Sequence, residues 1–327
     1  MVIGRQLPDC FAKNIAVTLR QMGHQVRTLD VQFGLSNPWL HQAAALLLQM
    51  VTTLNDRYQL RFLRAAAAWQ PDLIINAGAD LAPKIVEQIK TKTTAVMVSW
   101  FPDHLANLGR QYLLKAPYDA LFFKDPYIVD FCRNKVEKPA FFLPECCNPL
   151  WHRKVTLTQA EIDYYACDLT TAGNMYYYRA LMLEQFQGYS FKIWGRNYPR
   201  WLESPLASVY QQVYVAELEK SKAFQAAKIV LNTMHFGEIL GVNCRTFEVA
   251  GCGGFQLAEN RPQLRDFFEP DKEIVTFDTK KELKEKVDYY LNRPDERCEI
   301  AQRGQLRAHK KHTYEIRLRT MLDIIHG

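Results

Sequence analysis

The sequence predicts an α/β protein made of two Rossmann-like domains, and three observations carry that expectation. Short apolar runs rich in Val, Ile, Leu and Phe alternate with stretches of helical period, the pattern of parallel βα units. A length of 327 residues suits about two domains of roughly 100–200 residues. Between the two series lies Pro144-Glu145-Cys146-Cys147-Asn148-Pro149-Leu150, whose prolines can extend neither a strand nor a helix interior. The expected division is residues 1–148, residues 149–312 and a closing helix over 313–327.

In chain order, residues 1–4 read as the end of a first strand, 14–22 as a helix and 26–29 as a second strand. A long helical stretch covers 39–69, and Pro71-Asp72 leads into the apolar strand Leu73-Ile74-Ile75. Strands follow at 95–100, 120–123 and 140–143, with a helix near 127–133. The second series has strands at 169–173, 191–194, 229–232, 254–257 and 274–277. From Arg293 onward the chain is helical and basic.

Composition narrows the function classes. With 48% hydrophobic and 23% charged residues the chain can bury sizeable cores and is not of the disordered type. A net charge of +6 favours anionic ligands but falls short of a nucleic-acid signature, so no nucleic-acid partner is expected. The eight cysteines show neither a C-x-x-C pair nor zinc spacing, and they read as small buried hydrophobes in a reducing cytoplasm. No metal site is expected. No run reaches the roughly 18 apolar residues of a membrane span; peripheral membrane contact stays open.

Ligand sites of open parallel sheets lie beyond the carboxyl ends of strands, where helix N-termini offer N–H groups to anions. Four such places in the second half carry unusual polar residues: Gly173-Asn174, Gly195-Arg196-Asn197, the segment 232–238 with Asn232, His235 and Glu238, and the segment 243–248. Arg179 sits one turn beyond Gly173-Asn174, either beside a phosphate or as an ordinary surface residue. In the run Asn243-Cys244-Arg245-Thr246-Phe247-Glu248, the carboxylate of Glu248 needs either Arg245 at i−3 or a ligand hydroxyl. Gly251, Gly253 and Gly254 follow a helix and precede a strand, the reverse of a dinucleotide fingerprint. In the first half, Asp103-His104 after a buried strand form either a simple turn or a receiver for an acceptor hydroxyl. The loop 76–80 and Lys124-Asp125 are further strand-end positions.

From Leu169 onward the sequence resembles the C-terminal domain of the CgeB-like (spore maturation protein-type) glycosyltransferases, within the group-1 set. The resemblance rests on Ala172-Gly173-Asn174 with Arg179, Lys192-Ile193-Trp194-Gly195, Leu231-Asn232, Arg245-Thr246-Phe247-Glu248-Val249-Ala250-Gly251, and His312-Thr313-Tyr314-Glu315-Ile316-Arg317. It implies the GT-B architecture, two Rossmann-like domains facing across a cleft, the N-terminal one (1–148) holding the acceptor and the C-terminal one (149–312) the nucleotide-sugar donor, with the closing helix crossing back to the N-terminal domain. It further implies a nucleoside-diphosphate sugar as donor substrate, with no separate cofactor. The position of Glu248 is the one that grips the donor ribose. The second, upstream acid of the wider group falls on Leu240, so Glu238, two residues earlier, is the candidate to take its role.

A departing nucleoside diphosphate needs its charge neutralised by a metal or by cationic side chains. No D-x-D triplet is present, so Arg179, Arg196 and Arg245 are the expected counter-charges and metal-independent transfer is the expected reaction, while retention is what the resemblance implies. Donor contacts are assigned to Gly173, Asn174, Arg179, Gly195, Arg196, Asn232, His235, Asn243, Arg245 and Glu248, and catalytic roles to Asp103, His104 and Glu238. The acceptor is a sugar, a lipid-linked species or a protein. The competing expectation is a non-catalytic nucleotide-sugar binding or coat-assembly protein of the same fold.

Overall fold

The computed structural model describes residues 1–31, 38–78, 81–108 and 111–327. Packing divides them into two units, one of Met1–Pro144 with Leu318–Gly327 and one of Glu145–Arg317.

The first unit runs β1 (Val2–Ile3), α1 (Phe11–Gln21), β2 (Thr28–Leu29), α2 (Pro38–Met50), α3 (Thr52–Trp69), β3 (Leu73–Asn76), α4 (Pro83–Lys92), β4 (Val96–Phe101), α5 (Tyr112–Lys115), β5 (Ala120–Phe123), α6 (Pro126–Val136) and β6 (Ala140–Phe142). The strands form a parallel sheet in the order β2-β1-β3-β4-β5-β6. Strand β5 is buried along its whole length, as a strand with helices on both faces must be. The single helical stretch expected over 39–69 is instead two helices. They meet at Val51, whose φ of −113° and ψ of 97° leave the helical region. Val51-Thr52-Thr53 are three consecutive β-branched residues, stiff at χ1 and weak as helix formers, which places the break there.

The second unit continues with α7 (Gln159–Tyr165), β7 (Cys167–Ala172), α8 (Tyr177–Leu183), β8 (Phe191–Trp194), α9 (Leu218–Ala226), β9 (Ala227–Asn232), α10 (Cys244–Cys252), β10 (Gln256–Glu259), α11 (Leu264–Phe267), β11 (Val275–Phe277), α12 (Lys280–Leu291), α13 (Pro294–Lys311) and α14 (Tyr314–His326). Its parallel sheet has the order β11-β10-β9-β7-β8. Strand β8 lies on one side of β7 and β9 on the other, so the order reverses between β7 and β9, and a ligand crevice forms at such a reversal. The strand expected at 254–257 begins only at Gln256. Gly253, with φ +76°, and the Gly254 N–H bonded to the Val249 carbonyl close α10 first. Strand β10 therefore runs on to Glu259 and sets that carboxylate at its carboxyl end.

All eight cysteines are free thiols; five are buried, but Cys298 is exposed and Cys10 and Cys244 are half-buried, so only part of the set serves as core. Among the described residues no helix is long and apolar enough to cross a membrane.

The joint between α13 and α14 carries a titration. His312 is buried, its Nε2 bonded to the Phe267 carbonyl at 2.9 Å and its Nδ1 accepting from Arg317 Nη2 at 3.0 Å. Burial, with a smaller repulsion from Arg317, lowers the ring pKa from 6.5 to about 4. The unfolded chain therefore takes up a proton that the folded one refuses, and stability falls as pH drops through that window. The full loss is about 3 kcal/mol at 1.36 kcal/mol per unit. Urea midpoints should decline from pH 6.5 to pH 4 in the native protein and decline less in His312→Gln; equal slopes would remove His312 from the account.

Candidate functional site

The site begins where β7 ends. Gly173 has φ +118°, a conformation that L side chains rarely adopt, and a Cβ there would stand 3.0 Å from Arg245 Nη2 and 3.3 Å from Arg179 Nη1. The absent side chain leaves a space bounded by two guanidinium groups.

Arg179, on α8, is buried. Its Nε donates to Thr233 Oγ1 at 3.1 Å, its Nη1 donates to the Asn174 carbonyl at 2.5 Å, and its guanidinium lies 5.0 Å from the Tyr176 ring centre. Burial, and after it the charge of Arg245, lowers its pKa to about 10, so at neutral pH it remains a cation. Arg245, in the first turn of α10, donates from Nη1 to Asn232 Oδ1 at 2.9 Å and to the Thr233 carbonyl at 3.4 Å. Among the described residues neither guanidinium has a carboxylate within the 4.0 Å of an ion pair. The buried Arg179 and the half-buried Arg245 repel each other, and Arg179 has lost hydration besides. An anion with several acceptor oxygens would supply what the fold withholds, and two oxygens of a phosphate fit the planar guanidinium fork.

Asn232 and Asn243 hold this pair in place. Asn232 is fully buried; its Oδ1 accepts from Asn243 Nδ2 and from Arg245, both at 2.9 Å, while its Nδ2 donates to Thr246 Oγ1 at 3.1 Å. Asn243 caps α10 by accepting from the Thr246 N–H. Gly195 approaches so closely that a Cβ would lie 1.9 Å from the Tyr210 hydroxyl. Arg196 is exposed and lies 4.6 Å over the Tyr214 ring.

After β9 the chain makes a tight turn. The His235 N–H donates to Glu238 Oε2 at 2.8 Å, and the Gly237 N–H donates to His235 Nδ1 at 3.1 Å. With Nδ1 accepting, the proton of a neutral ring sits on Nε2. The His235 ring also packs against Tyr176, at 5.2 Å between centres, and so shares a neighbour with Arg179.

Glu248 does not pair with Arg245 as the i−3 spacing allowed, because Arg245 is turned to Asn232. Its Oε1 is 3.0 Å from Lys220 Nζ on α9 and 3.9 Å from His152 Nε2. Asp103 and His104 form a local turn in the first unit. Asp103 Oδ1 accepts from the His104 N–H and from Asn107 Nδ2, both at 2.8 Å, and His104 Nδ1 accepts from the Ala106 N–H. Of the loop 76–80, Ala79 and Asp80 lie outside the described residues.

Sequence reasoning missed Glu259. Its carboxylate is buried and accepts from the Tyr178 hydroxyl at 2.6 Å, the Met234 N–H at 2.9 Å and Arg261 Nη1 at 3.0 Å, while Arg261 Nε donates to the Glu238 carbonyl at 2.7 Å. This network bolts the His235–Glu238 turn to α8 and β10. The available signal was an acid ending an apolar strand, hidden once the strand was started at the glycines.

Residues 179–323 match a family described as glycosyl transferase-like. Among curated proteins none matches the sequence. Solved structures resemble the whole chain. Sucrose-phosphate synthase from Thermosynechococcus elongatus has a TM-score of 0.71 at 12% identity, covering 99% of this chain and 97% of that one. A glycosyltransferase from Rickettsia africae gives 0.62 at 10%, covering 99% and 97%. Anabaena HepE in complex with UDP and glucose gives 0.62 at 11%, covering 99% and 91%. The chain thus has two parallel-sheet α/β domains matching GT-B glycosyltransferase structures.

Proposed function

We propose that the protein transfers a sugar from a nucleoside-diphosphate sugar to an acceptor, as a CgeB-like enzyme of the cytoplasm. The observation that carries this reading is the pair Arg179 and Arg245 around Gly173, at the reversal of strand order, two cations with no carboxylate within ion-pair distance among the described residues. The diphosphate occupies that space and receives the guanidinium hydrogen bonds as its leaving-group charge develops. His235 Nε2–H is a further donor to the same charge. Glu238, held at the adjoining turn, faces the sugar, and Glu248, held by Lys220, takes the ribose hydroxyls. HepE was solved with UDP and glucose, which makes UDP the first nucleotide to test.

With arginines as counter-charges, transfer proceeds without a divalent metal, and retention of anomeric configuration is the outcome that the family resemblance implies. The purified protein should release UDP from UDP-glucose, raise its melting temperature with UDP, and do both equally well in EDTA. Activity lost in EDTA and restored by Mg²⁺ or Mn²⁺ would show that the arginines do not suffice. Absence of any stabilisation by UDP, GDP, ADP or dTDP would remove the donor reading altogether.

A further inference from the structure

Helix α2 (Pro38–Met50), in the first unit, contains no Asp, Glu, Lys or Arg, and the charge-free run around it extends over residues 31–55. Leu40, Leu46, Leu47 and Met50 are 58%, 58%, 50% and 81% exposed. At about 3.6 residues per turn these four, with the exposed Ala43, fall on roughly one third of the helix circumference. An aliphatic stripe of that width marks a helix face that is normally covered, yet here it meets solvent. We propose that this face of α2 docks on the surface of an anionic lipid bilayer, an inference that goes beyond the transferase reading and does not depend on it. At 13 residues the helix is too short to span a bilayer, which takes about 20, so it lies in the interface with its axis along the surface.

Charge decides the partner. Met1–Pro144 with Leu318–Gly327 hold 17 Lys and Arg against 12 Asp and Glu, so five of the chain's six net positive charges lie in this unit. Helix α2 has no cation of its own, but α3, which packs on it, provides Arg57 and Arg64. Both are exposed, and they stand two turns apart on the side of α3 opposite the buried Phe62 and Ala66. Among the described residues neither forms an ion pair. Anionic headgroups satisfy such cations at a surface, whereas a second copy of the chain would bring the same basic edge against itself. The fold also sets which edge faces the lipid. Gln59 Oε1 accepts from the Ala82 N–H at 2.7 Å, just past the carboxyl end of β3, and α3 then runs back to Trp69 at the amino end of that strand. The first turns of α3, and the α2 joined to them, therefore stand beyond the carboxyl ends of the strands, the edge at which Asp103 and His104 follow β4. On the transferase reading, the strand ends that receive the acceptor then face the lipid.

The test is sedimentation of the full chain, without nucleotide, with vesicles of phosphatidylcholine alone and of equal parts phosphatidylcholine and phosphatidylglycerol. The native protein should sediment with the anionic vesicles and much less with the neutral ones. Leu46→Glu with Leu47→Glu should lower the partition coefficient by about tenfold or more, and Arg57→Glu with Arg64→Glu should lower it by about tenfold for the anionic vesicles. Because all four side chains lie outside the core, both variants should melt as the native protein does; Leu47→Ser with Met50→Ser, neutral and milder, should weaken binding in the same direction. The proposal is overturned if the native protein stays in the supernatant or binds both kinds of vesicle alike. It is overturned too if the leucine variants bind as the native protein does, which would leave only adsorption of a basic protein, or if they turn a dimer into a monomer in sedimentation velocity, which would make the face a subunit contact. Vesicle binding by a protein that UDP, GDP, ADP and dTDP fail to stabilise would sink the donor reading and leave this proposal standing; nucleotide binding without vesicle binding would sink this proposal alone.

Discussion

Arg179→Met should abolish measurable nucleotide binding and leave the empty protein no less stable than the native one. In the ligand-free state Arg179 is a buried cation beside a second cation, and exchanging buried charge for apolar volume is commonly neutral or stabilising by about 1–4 kcal/mol. Part of that gain is offset by the lost bonds to Thr233 and Asn174, so a rise of about 1 kcal/mol is expected. Once a diphosphate is bound, the same side chain makes charge-assisted hydrogen bonds in a water-poor space, and losing one partner of such a pair costs about 2–5 kcal/mol, or roughly 30- to several-thousand-fold in Kd. Calorimetry with UDP and urea titration of the empty protein read the two effects separately. A variant that binds UDP like the native protein would refute the assignment of the site; one that is strongly destabilised when empty would make Arg179 a structural residue.

The second large effect is expected at Glu259. Glu259→Ala leaves Arg261 without its carboxylate and the Met234 N–H and Tyr178 hydroxyl without their acceptor, in a region that is mostly dry. Removing one partner of a buried pair costs about 3–5 kcal/mol, which is a large share of the stability of a typical domain. Urea unfolding measures the loss. Glu259→Gln keeps one acceptor oxygen, enough for the Tyr178 hydroxyl on the Oε1 side or the Met234 N–H on the Oε2 side but not both, and loses the charge opposite Arg261, so its stability should fall between those of the native protein and Glu259→Ala. If alanine costs less than about 1 kcal/mol, the network is a surface pairing of ordinary strength.

Both predictions bear on how much the sequence could disclose. The strands were legible because apolar runs such as Leu121-Phe122-Phe123 are buried on both faces, and period and composition record that directly. The polar residues beyond strand ends were legible for the same reason, since nothing in a core explains Gly173, Asn232 or Arg245. Which of those residues face one another was not. Arg245 turns to Asn232, 13 residues away in sequence, and Glu248 turns to Lys220 on another helix. Such pairings depend on helix rotation and on the competing partners that the fold supplies, and an i to i+3 spacing offers only one of them. Glu259 was lost to an error of strand register. The glycines were legible as the cap and turn of a helix, but the strand expected at 254–257 runs instead over Gln256–Glu259, and a shift of two residues decides whether a carboxylate lies on the strand or past it.

The two neighbouring arginines also bear on turnover. A site that holds two cations with no carboxylate within ion-pair distance among the described residues releases an anion only by restoring the mutual repulsion of those cations. After sugar transfer the leaving nucleoside diphosphate carries more negative charge than the donor did, and it remains in the place where that charge is most strongly held. On the function proposed above, departure of the nucleotide, more than the transfer itself, is expected to set the pace of each cycle. Such an enzyme shows a pre-steady-state burst of transferred sugar, is inhibited by its own nucleoside diphosphate well below donor-saturating levels, and runs faster when a phosphatase removes that product or when moderate salt loosens its hold on the arginines.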